Sequence, residues 1–181
     1  RIARRQRQMC IRDRKILIVG GGMGGTILAN NIARKLRADI KSGKTSITML
    51  SATDKHMYQP GLLYVAVGKM NPAELYRDQK TLLEPTIDFK VDPVTEFNLD
   101  DNNVKAQSGA TYNYDVIVIA TGSRTHAEGT PGLKEYAEQF YTEADAVKMY
   151  KRLEEFEGGK VMIAVGVPHK CPMAPLEITF M

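Results

Sequence analysis

The stretch KILIVGGGMGGTILANNIARKL at Lys15–Leu36 decides the fold of this 181-residue chain. Its first residues, Lys15–Gly20, form a short apolar run rich in β-branched side chains, which is typical of a buried parallel strand. Met23–Leu36 then predicts a helix, and Ser46–Ser51 predicts the next strand. The apolar residues that define the buried face of this helix are Leu28, Ile32 and Leu36, with Ala29 and Ala33 beside them. Strand, helix and strand in this order predict a right-handed βαβ unit and an α/β fold.

A glycine-rich turn with the spacing Gly-x-Gly-x-x-Gly separates the first strand from the helix. Gly20, Gly22 and Gly25 occupy the three positions, and Gly21 and Gly24 are additional glycines. The first glycine allows the tight turn, the second lets the backbone approach a pyrophosphate, and the third lets the helix pack on the strand. The N–H groups and the dipole of the helix N-terminus then face the phosphates. The turn therefore predicts a dinucleotide site in a Rossmann-like fold, with a glycine turn that binds no ligand as the alternative.

The end of the second predicted strand helps to distinguish between dinucleotides. An acidic residue usually stands there and binds the ribose, whereas this chain has Ser51, with Asp54 three residues further on. A serine hydroxyl can bond a ribose oxygen but carries no charge, so this position weakens the case for NAD more than the case for FAD. We predict that Ser51 binds the cofactor, and a cap at the end of the strand is the alternative.

A second cofactor signal lies in YDVIVIATG at Tyr114–Gly122. Asp115–Ala120 predicts another buried parallel strand. Ala120, Thr121 and Gly122 end it with small residues that let the backbone come close to a flat cofactor. The strands predicted before this segment are Ile87–Val91, Val94–Leu99 and Asn103–Gln107, with a hairpin turn at Asp100–Asn102. Together with the first loop, this segment resembles the flavoproteins that have two dinucleotide-binding domains, in which the Ala-Thr-Gly turn lies against FAD, and this resemblance favours FAD.

Composition and charge limit the other possibilities. Hydrophobic residues make up 43% of the chain, enough for one sizeable domain or one domain and part of another. The chain contains no run of about 18 apolar residues that would predict a membrane-spanning helix.

Residues 1–14 carry a net charge of +5, and the rest of the chain carries a net charge of −1. They resemble translated adapter sequence, so we interpret them as a disordered or artefactual tail and predict no nucleic-acid partner. The two cysteines, Cys10 and Cys171, cannot form a disulfide framework, which favours a reducing compartment.

The rest of the chain predicts the beginning of a second α/β segment. Prolines and glycines break residues 54–85 into loops, with a short helix near Ala73–Gln79. Glu143–Phe156 predicts an amphipathic helix, Lys160–Gly166 a buried strand, and Pro175–Met181 the start of a helix. The expected domains are an FAD-binding domain at 15–125, a linker loop and helix at 126–158, and a second dinucleotide-binding-like domain, truncated by the end of the chain, at 159–181.

The stretch VGVPHKCPMAPLE stands where most of the flavoproteins that this chain resembles have a second glycine loop, which binds NAD(P)H. Pro168 and Cys171 occupy the glycine positions, and because proline has no N–H to offer, a second nucleotide in the usual pose is not expected. Cys171 precedes a predicted helix, whose dipole, together with the adjacent Lys170, is expected to lower the pKa of the thiol and favour the thiolate. A thiolate is the nucleophile of disulfide exchange, whereas the alternative for Cys171 is a small buried hydrophobic residue.

Two segments carry a resemblance to a known family. CPMAPLE at Cys171–Glu177 is similar to the Cys-x-x-Ala/Gly-Pro-x-Glu segment of sulfide:quinone oxidoreductases and flavocytochrome c sulfide dehydrogenases, and MYQPGLLYVAVGK at Met57–Lys69 resembles the loop beside the flavin in the same family. The resemblance covers Lys15–Met181, about the N-terminal half of a family member. It implies a flavoprotein with two dinucleotide-binding domains, in which Pro60 lies beside the flavin and Val94 contacts the adenine through its backbone. Simple sheet packing is the alternative for Val94.

The resemblance implies an FAD-dependent oxidoreductase that needs no metal. Sulfide, or a related sulfur species, passes electrons through Cys171 to FAD, and a quinone accepts them. The chain contains no second redox cysteine, and Ser123–Glu128 lacks the third cysteine of many members, which leaves the subtype and the substrate open. An NAD(P)H-dependent flavin disulfide reductase or type II NADH:quinone dehydrogenase is the alternative. We expect the chain by itself to be inactive and the whole protein to be cytoplasmic, with peripheral membrane association through the absent C-terminal half as an open alternative.

Overall fold

A computed structural model describes residues 13–165, Cys171 and residues 173–181. Its strands are β1 (Arg14–Val19), β2 (Thr45–Ser51), β3 (Lys55–Met57), β4 (Tyr76–Asp78), β5 (Ile87–Val91), β6 (Val94–Asn98), β7 (Asn103–Ala106), β8 (Thr111–Asn113) and β9 (Val116–Ile119). Its α-helices are α1 (Met23–Lys35), α2 (Arg37–Lys41), α3 (Leu62–Ala66), α4 (Leu133–Tyr136), α5 (Glu143–Glu154) and α6 (Ala174–Thr179). The elements form two compact units. The first combines the described residues up to His56 with Asp78–Gly122, and the second combines Met57–Arg77 with the described residues from Ser123 onward.

The first unit is built on a parallel sheet with the strand order β5–β2–β1–β9. β1 pairs along its whole length with β2, and it also pairs with β9 on its other side. Beyond the end of β1, the Gly20 N–H donates to the Leu50 carbonyl at 2.8 Å. Because the strands are parallel, their carboxyl ends meet at one edge of the sheet, where ligands bind in open α/β folds. The predicted α/β class and the βαβ unit are confirmed.

Helix α1 packs on this sheet through its small residues. Ala29 and Ala33 are buried, and Ile32 and Leu36 are partly buried against the same core. Leu28 is 38% exposed, so its predicted place on the buried face is wrong. The helix turns its alanines toward the strands because small side chains allow the helix and the sheet to approach closely. The buried residues of this core are Ile16, Ile18, Ala29, Ala33, Ile47, Met49 and Ile87.

A three-stranded antiparallel sheet, β6–β7–β8, is inserted between β5 and β9. The predicted turn between β6 and β7 is confirmed, and Asn102 in it has a φ of +52°, which asparagine tolerates better than most residues. The strands of this sheet differ from the prediction. Ile87–Val91 joins the parallel sheet by pairing with β2, and Thr111–Asn113 is the third antiparallel strand. A strand of three residues is too short to show an alternating pattern, so the sequence did not indicate it.

Asp92 joins the antiparallel sheet to the end of β5. Its carboxylate accepts hydrogen bonds from the Ser108 hydroxyl at 2.6 Å, the Ser108 N–H at 3.1 Å and the Tyr112 hydroxyl at 2.9 Å. The bond from the Ser108 hydroxyl is the main cause that lowers the pKa of Asp92, against the opposing effect of burial. The folded chain therefore favours the ionised form of this buried side chain.

Strand β9 is parallel as predicted, but it is not buried. It lies at the edge of the sheet, with β1 as its neighbour, and Val116 and Ile119 are 45% and 55% exposed. A continuous apolar run is typical of a strand covered on both faces. The described part of the chain supplies no second neighbouring strand and does not cover these two side chains.

Helices α3 and α5 contribute to the core of the second unit. The buried residues of this core are Leu62, Val65, Ala66, Leu75 and Ala146. The Thr142 hydroxyl caps α5 by accepting from the Asp145 N–H at 3.1 Å, and the helix ends at Glu154, close to the predicted end. Gly68 has a φ of +71°, and a Cβ atom added there would lie 2.3 Å from the Tyr150 ring, so this position needs glycine.

The short helix predicted near Ala73–Gln79 is wrong. Asn71 caps a single 3-10 turn at Pro72–Leu75, and Tyr76 then takes the extended φ and ψ of −108° and 141° that begin β4. The turn ends where its last residue, Leu75, enters the core. Local helix propensity is therefore overridden by packing.

The apolar segment at Lys160–Val165 does not form the predicted strand. Its side chains are exposed, with Met162 at 87%. An apolar run becomes a strand only where a neighbouring strand satisfies its N–H and C=O groups, and no described strand pairs with this segment. The helix predicted at Pro175–Met181 is confirmed as α6. None of the helices in the described part of the chain has the length and apolar character needed to cross a bilayer.

Candidate cofactor site

The inner side of the glycine loop is set by close backbone packing. Gly20 has a φ of +114°, and a Cβ atom added there would lie 2.3 Å from the Ala120 carbonyl oxygen. A Cβ atom on Gly25 would lie 2.0 Å from the Gly20 carbonyl oxygen and 3.4 Å from the Ala120 side chain. The structure therefore brings the first glycine loop and the predicted Ala-Thr-Gly segment into contact. Both glycines are required by this packing, whether or not a ligand is bound.

The outer side of the loop is open. Gly22 and Gly24 are exposed, and a Cβ atom on either would meet nothing within 4 Å. Gly22 is the N-cap residue of α1, which has neither a side-chain cap nor an acidic residue in its first turn. The first N–H groups of a helix have no intrahelical acceptor and carry a partial positive charge. An uncapped N-terminus beside two glycines fits the negatively charged pyrophosphate of a dinucleotide.

Ser51 lies directly beside this loop. A Cβ atom added to Gly21 would lie 2.6 Å from the Ser51 Oγ atom. The Ser51 hydroxyl accepts from the Thr53 N–H at a long 3.4 Å, and the Ser51 carbonyl accepts from the Asp92 N–H at 2.9 Å. The hydroxyl thus stands at the carboxyl edge of the sheet next to the glycines, and it retains hydrogen-bonding capacity for a ribose oxygen.

The segment Ala120–Gly122 continues from β9 along the same edge. The Ala120 N–H donates to the Val19 carbonyl at 2.8 Å, which fixes the start of the segment against β1. Gly122 has a φ of +76° with nothing within 4 Å of an added Cβ atom, and Thr121 is exposed. Small residues and a left-handed glycine leave this backbone accessible to a flat ring system. The contact itself stays a prediction.

Val94 lies on β6 within the first unit. It is partly buried and packs against the core cluster that contains Val104 and Tyr114. Sheet packing, the alternative raised from the sequence, therefore accounts for its side chain. The predicted contact between its backbone and an adenine ring stays a prediction.

Sequence reasoning missed a polar cluster under the glycine loop. Gln79 is fully buried, and its Nε2 atom donates to the Thr26 hydroxyl at 2.8 Å. Thr26 in turn donates to the Gly21 carbonyl at 3.2 Å. The Nδ1 atom of His56 lies 3.1 Å from the same carbonyl and 3.1 Å from the Gln79 Oε1 atom. No local pattern marks these residues, because His56 and Gln79 are distant in sequence from the loop that they contact.

Two predicted site residues, Pro60 and Cys171, belong to the second unit. Pro60 is exposed in the 3-10 turn Gln59–Gly61. Cys171 is a free, half-buried cysteine three residues before α6, while its neighbours Pro168 and Lys170 lie outside the described residues. Burial, and then the proximity of Cys171, raise the pKa of Tyr141, so these two side chains lie near each other. In the described part of the chain, no group of histidine, cysteine and acidic side chains could hold a metal ion.

Comparison with known proteins shows which family this chain resembles. The sequence model of the family described as pyridine nucleotide-disulphide oxidoreductase matches residues 14–167. The mitochondrial sulfide:quinone oxidoreductase of Mus musculus is 26% identical over 173 residues, covering 92% of this chain and 37% of the mouse protein. The type II NADH:quinone oxidoreductase of Staphylococcus epidermidis is 26% identical over 143 residues, covering 78% of this chain and 34% of that protein.

A solved structure of the same kind of enzyme as the mouse relative also matches. The sulfide:quinone oxidoreductase from Aquifex aeolicus superposes with a TM-score of 0.66 at 25% identity, covering 78% of this chain and 32% of that one. This chain therefore spans about a third of the length of its relatives. These findings confirm the Rossmann-like fold, the resemblance to sulfide:quinone oxidoreductases and FAD as the cofactor. The open glycines, the uncapped helix and Ser51 fit that cofactor.

Proposed function

Because the chain belongs to the pyridine nucleotide-disulphide oxidoreductase family, we propose that it supplies the FAD-binding part of an enzyme that oxidises sulfide, or a related sulfur species, and reduces a quinone. The observation that carries this proposal is the extent of the match. The mouse sulfide:quinone oxidoreductase aligns with 92% of the chain, whereas the staphylococcal NADH:quinone oxidoreductase aligns with 78%. Both relatives are oxidoreductases, so the chain is part of an oxidoreductase whether sulfide or NADH supplies the electrons.

In this proposal the residues of the chain have separate tasks. The N–H groups at Gly22 and Gly24 bind the pyrophosphate. The Ser51 hydroxyl bonds the ribose, and the backbone of Thr121 and Gly122 lies against the ring system. The cofactor supplies a two-electron acceptor, and the chain orients it and excludes bulky side chains from its face. The exposure and the glycine geometry of the first unit support these assignments.

We assign Cys171 as the thiol through which the electrons leave the sulfur substrate. For sulfide, the overall reaction is HS⁻ + H⁺ + quinone → S⁰ + quinol, in which sulfur loses two electrons and the quinone gains two electrons and two protons. The thiolate is the reactive form of a cysteine. Cys171 is free and is half-buried rather than fully buried, which supports a chemical role over a purely packing role. Pro60, in the loop that resembles the flavin-contacting loop of the family, is proposed to lie beside the ring.

NADH oxidation is the second candidate, supported by the match to the staphylococcal NADH:quinone oxidoreductase at the same 26% identity. Against it stand Pro168 and Cys171, which occupy two glycine positions of the loop that would bind the second nucleotide. Proline offers no N–H to a phosphate. On either alternative the quinone is the electron acceptor, so peripheral attachment to a membrane, where quinones dissolve, belongs to the proposal.

The test is anaerobic reduction of the flavin in the whole protein that carries this chain. Purified protein that shows the absorption bands of oxidised flavin is mixed with sulfide or with NADH, and bleaching of those bands is followed. We expect sulfide to reduce the flavin and the variant Cys171→Ser to abolish this reduction. Cys10→Ser is the matched control, because Cys10 lies in the basic tail, and it should behave like the wild type. Rapid reduction by NADH, unaffected by Cys171→Ser, would establish the second candidate instead.

A further inference from the structure

Three consecutive glycines, Gly20 to Gly22, begin the loop that binds the pyrophosphate. Glycine loses more conformational entropy on ordering than any other residue. A loop of this kind binds a ligand well only if other groups hold it in the binding conformation beforehand. The polar cluster under the loop is placed where it could hold the loop in this way. Two of its side chains, Thr26 and His56, converge on a single backbone atom, the carbonyl oxygen of Gly21.

We propose that His56 is a positioning residue for FAD: its Nδ1–H, with the Gln79 amide and the Thr26 hydroxyl, fixes the Gly21 carbonyl and so sets the direction of the Gly22 N–H that binds the pyrophosphate. This inference rests on FAD as the cofactor, and it does not depend on which substrate supplies the electrons.

The hydrogen-bond inventory determines which nitrogen of His56 carries a proton. The Gly21 carbonyl can only accept, and the Thr26 hydroxyl donates to it while accepting from Gln79 Nε2. Gln79 therefore presents its Oε1 atom, an acceptor, to the imidazole. Because Nδ1 faces two acceptors, each 3.1 Å away, it must carry a hydrogen to bond either of them.

The opposite orientation of the Gln79 amide gives an unsatisfactory network. Its oxygen would then face Thr26, whose single hydroxyl hydrogen cannot serve both that oxygen and Gly21. An unprotonated Nδ1 atom of His56 would accept from the amide but would face the Gly21 carbonyl with its lone pair. The Gln79 Nε2 atom also lies 3.9 Å from the side-chain sulfur of Met49, a weak acceptor. This contact agrees with the orientation in which the amide nitrogen of Gln79 faces Thr26. The cluster is therefore consistent only with Nδ1–H.

The carbonyl and the following N–H are mechanically coupled. The peptide bond between Gly21 and Gly22 is planar and trans, so its C=O and N–H point in opposite directions. The Gly21 carbonyl points inward to Thr26 and His56, and the Gly22 N–H therefore points away from them. Gly22 is exposed, and its N–H has no acceptor among the described residues. Releasing the carbonyl would let this peptide plane rotate and would lose the alignment of the N–H.

Burial makes the cluster stiff. Gln79 is 0% exposed and Thr26 is 7% exposed, so water cannot readily replace a lost partner. A buried acceptor without a donor costs more than the net value of a hydrogen bond. Gln79 is itself held by its backbone N–H, which donates to the Asp54 carbonyl at 2.8 Å.

The test compares His56→Leu with His56→Asn in the whole protein. Asparagine places an amide N–H close to the position of Nδ1, whereas leucine has no donor. The dissociation constant for FAD is measured by fluorescence after the flavin has been removed, and the thermal unfolding midpoint of the same apoprotein is recorded. We expect His56→Leu to weaken FAD binding about tenfold, the effect of one charge-neutral hydrogen bond. His56→Asn should restore most of that loss. The apoprotein midpoint should fall for His56→Leu, because the buried Gln79 oxygen loses its donor, and His56→Asn should recover it.

Thr26→Val and Thr26→Ser form a second pair for the case that His56→Leu does not fold. Valine has the shape of threonine without the hydroxyl, and serine keeps the hydroxyl, so FAD binding should fall for valine and persist for serine. The proposal is overturned if FAD binds equally well to His56→Leu or Thr26→Val and to the wild type. It is also overturned if His56→Asn binds FAD no better than His56→Leu, or if across the four variants the loss of affinity is no larger than the loss of apoprotein stability accounts for. Sulfide does not enter these measurements, so a failure of the proposed substrate would be recognised separately.

Discussion

Gly25 packs so closely on Gly20 that a Cβ atom added to Gly25 would lie 2.0 Å from the Gly20 carbonyl oxygen. That oxygen belongs to the backbone of the turn, so it cannot move aside as a flexible side chain would. The last glycine of the loop is therefore required by the packing of α1 on the sheet. The open glycines of the same loop, Gly22 and Gly24, have no such neighbours. Any requirement for glycine at these two positions would therefore come from the ligand.

Gly25→Ala is predicted to destabilise the first unit. Overpacking a tight contact costs about 1–3 kcal/mol, and a contact with rigid backbone should lie at the upper end. Gly24→Ala is the matched control, because it adds the same methyl group one residue earlier on α1 where nothing lies within 4 Å. Denaturant unfolding of the apoprotein measures both free energies. Equal stability of the two variants would contradict the packing argument.

Gly22→Ala is predicted to separate stability from cofactor binding. Gly22 has a φ of −73° and a ψ of −176°, which is extended backbone that any residue adopts, and an added Cβ atom meets no protein atom. The apoprotein should therefore unfold at the same denaturant concentration as the wild type. In the proposed site the added methyl group stands where the pyrophosphate approaches, so the affinity for FAD should fall about tenfold, or about 1.4 kcal/mol. Titration of the apoprotein with FAD measures this, and unchanged affinity would place the pyrophosphate elsewhere.

Much of this site could be predicted because its determinants are local. The spacing of Gly20, Gly22 and Gly25, with a strand before it and a helix after it, specifies a turn whose backbone conformation few other residues permit. Ser51 and Ala120 could be placed at the same edge from parallel topology alone. In each case the information lies within a few residues of the position that it determines.

Other features depend on partners that are distant in the sequence. Nothing near His56 or Gln79 indicates that they meet under the loop, because their contacts with Gly21 and Thr26 arise only when the chain has folded. The apolar runs at Asp115–Ala120 and Lys160–Gly166 are predicted to be buried strands from composition, but burial and pairing depend on neighbours. Helical spacing placed Leu28 on the buried face, although the smaller side chains of α1 pack on the sheet.

Asp92→Asn is predicted to make the free energy of unfolding fall less steeply as the pH is lowered. Hydrogen bonds from Ser108, first from its hydroxyl, hold the pKa of Asp92 below its ordinary value. A carboxyl group with a lower pKa in the folded than in the unfolded state stabilises the fold above its unfolded pKa, and this contribution is lost as the pH falls through the folded pKa. The variant should be less stable than the wild type at neutral pH, and the difference should shrink below the ordinary titration range of aspartate.

Asp100→Asn is the control for that experiment, because Asp100 is exposed in the turn between β6 and β7. Unfolding free energies of both variants and the wild type are measured in urea from neutral pH downward. The control should follow the wild-type profile. A constant difference between Asp92→Asn and the wild type at every pH would show that the carboxylate is not the group responsible.

Tyr76→Phe is predicted to weaken the second unit. The Tyr76 hydroxyl donates to Glu143 at the first turn of α5, across 67 residues of sequence. Removing a half-buried donor costs about 1 kcal/mol and leaves a carboxylate oxygen without its partner. Tyr150→Phe is the control, since Tyr150 donates to the exposed Glu154 one helical turn away, at 2.6 Å, and a bond in contact with water is replaced at less cost.

The hydrogen bond to Glu143, and then burial, raise the pKa of Tyr76. The contribution of Tyr76 to the stability of the fold is therefore fully present below the ordinary tyrosine pKa. It is lost as the pH rises through the pKa of Tyr76 in the folded state. Unfolding measured at neutral and alkaline pH should show a destabilisation of Tyr76→Phe that disappears in alkali, and equal effects of the two substitutions would contradict the assignment.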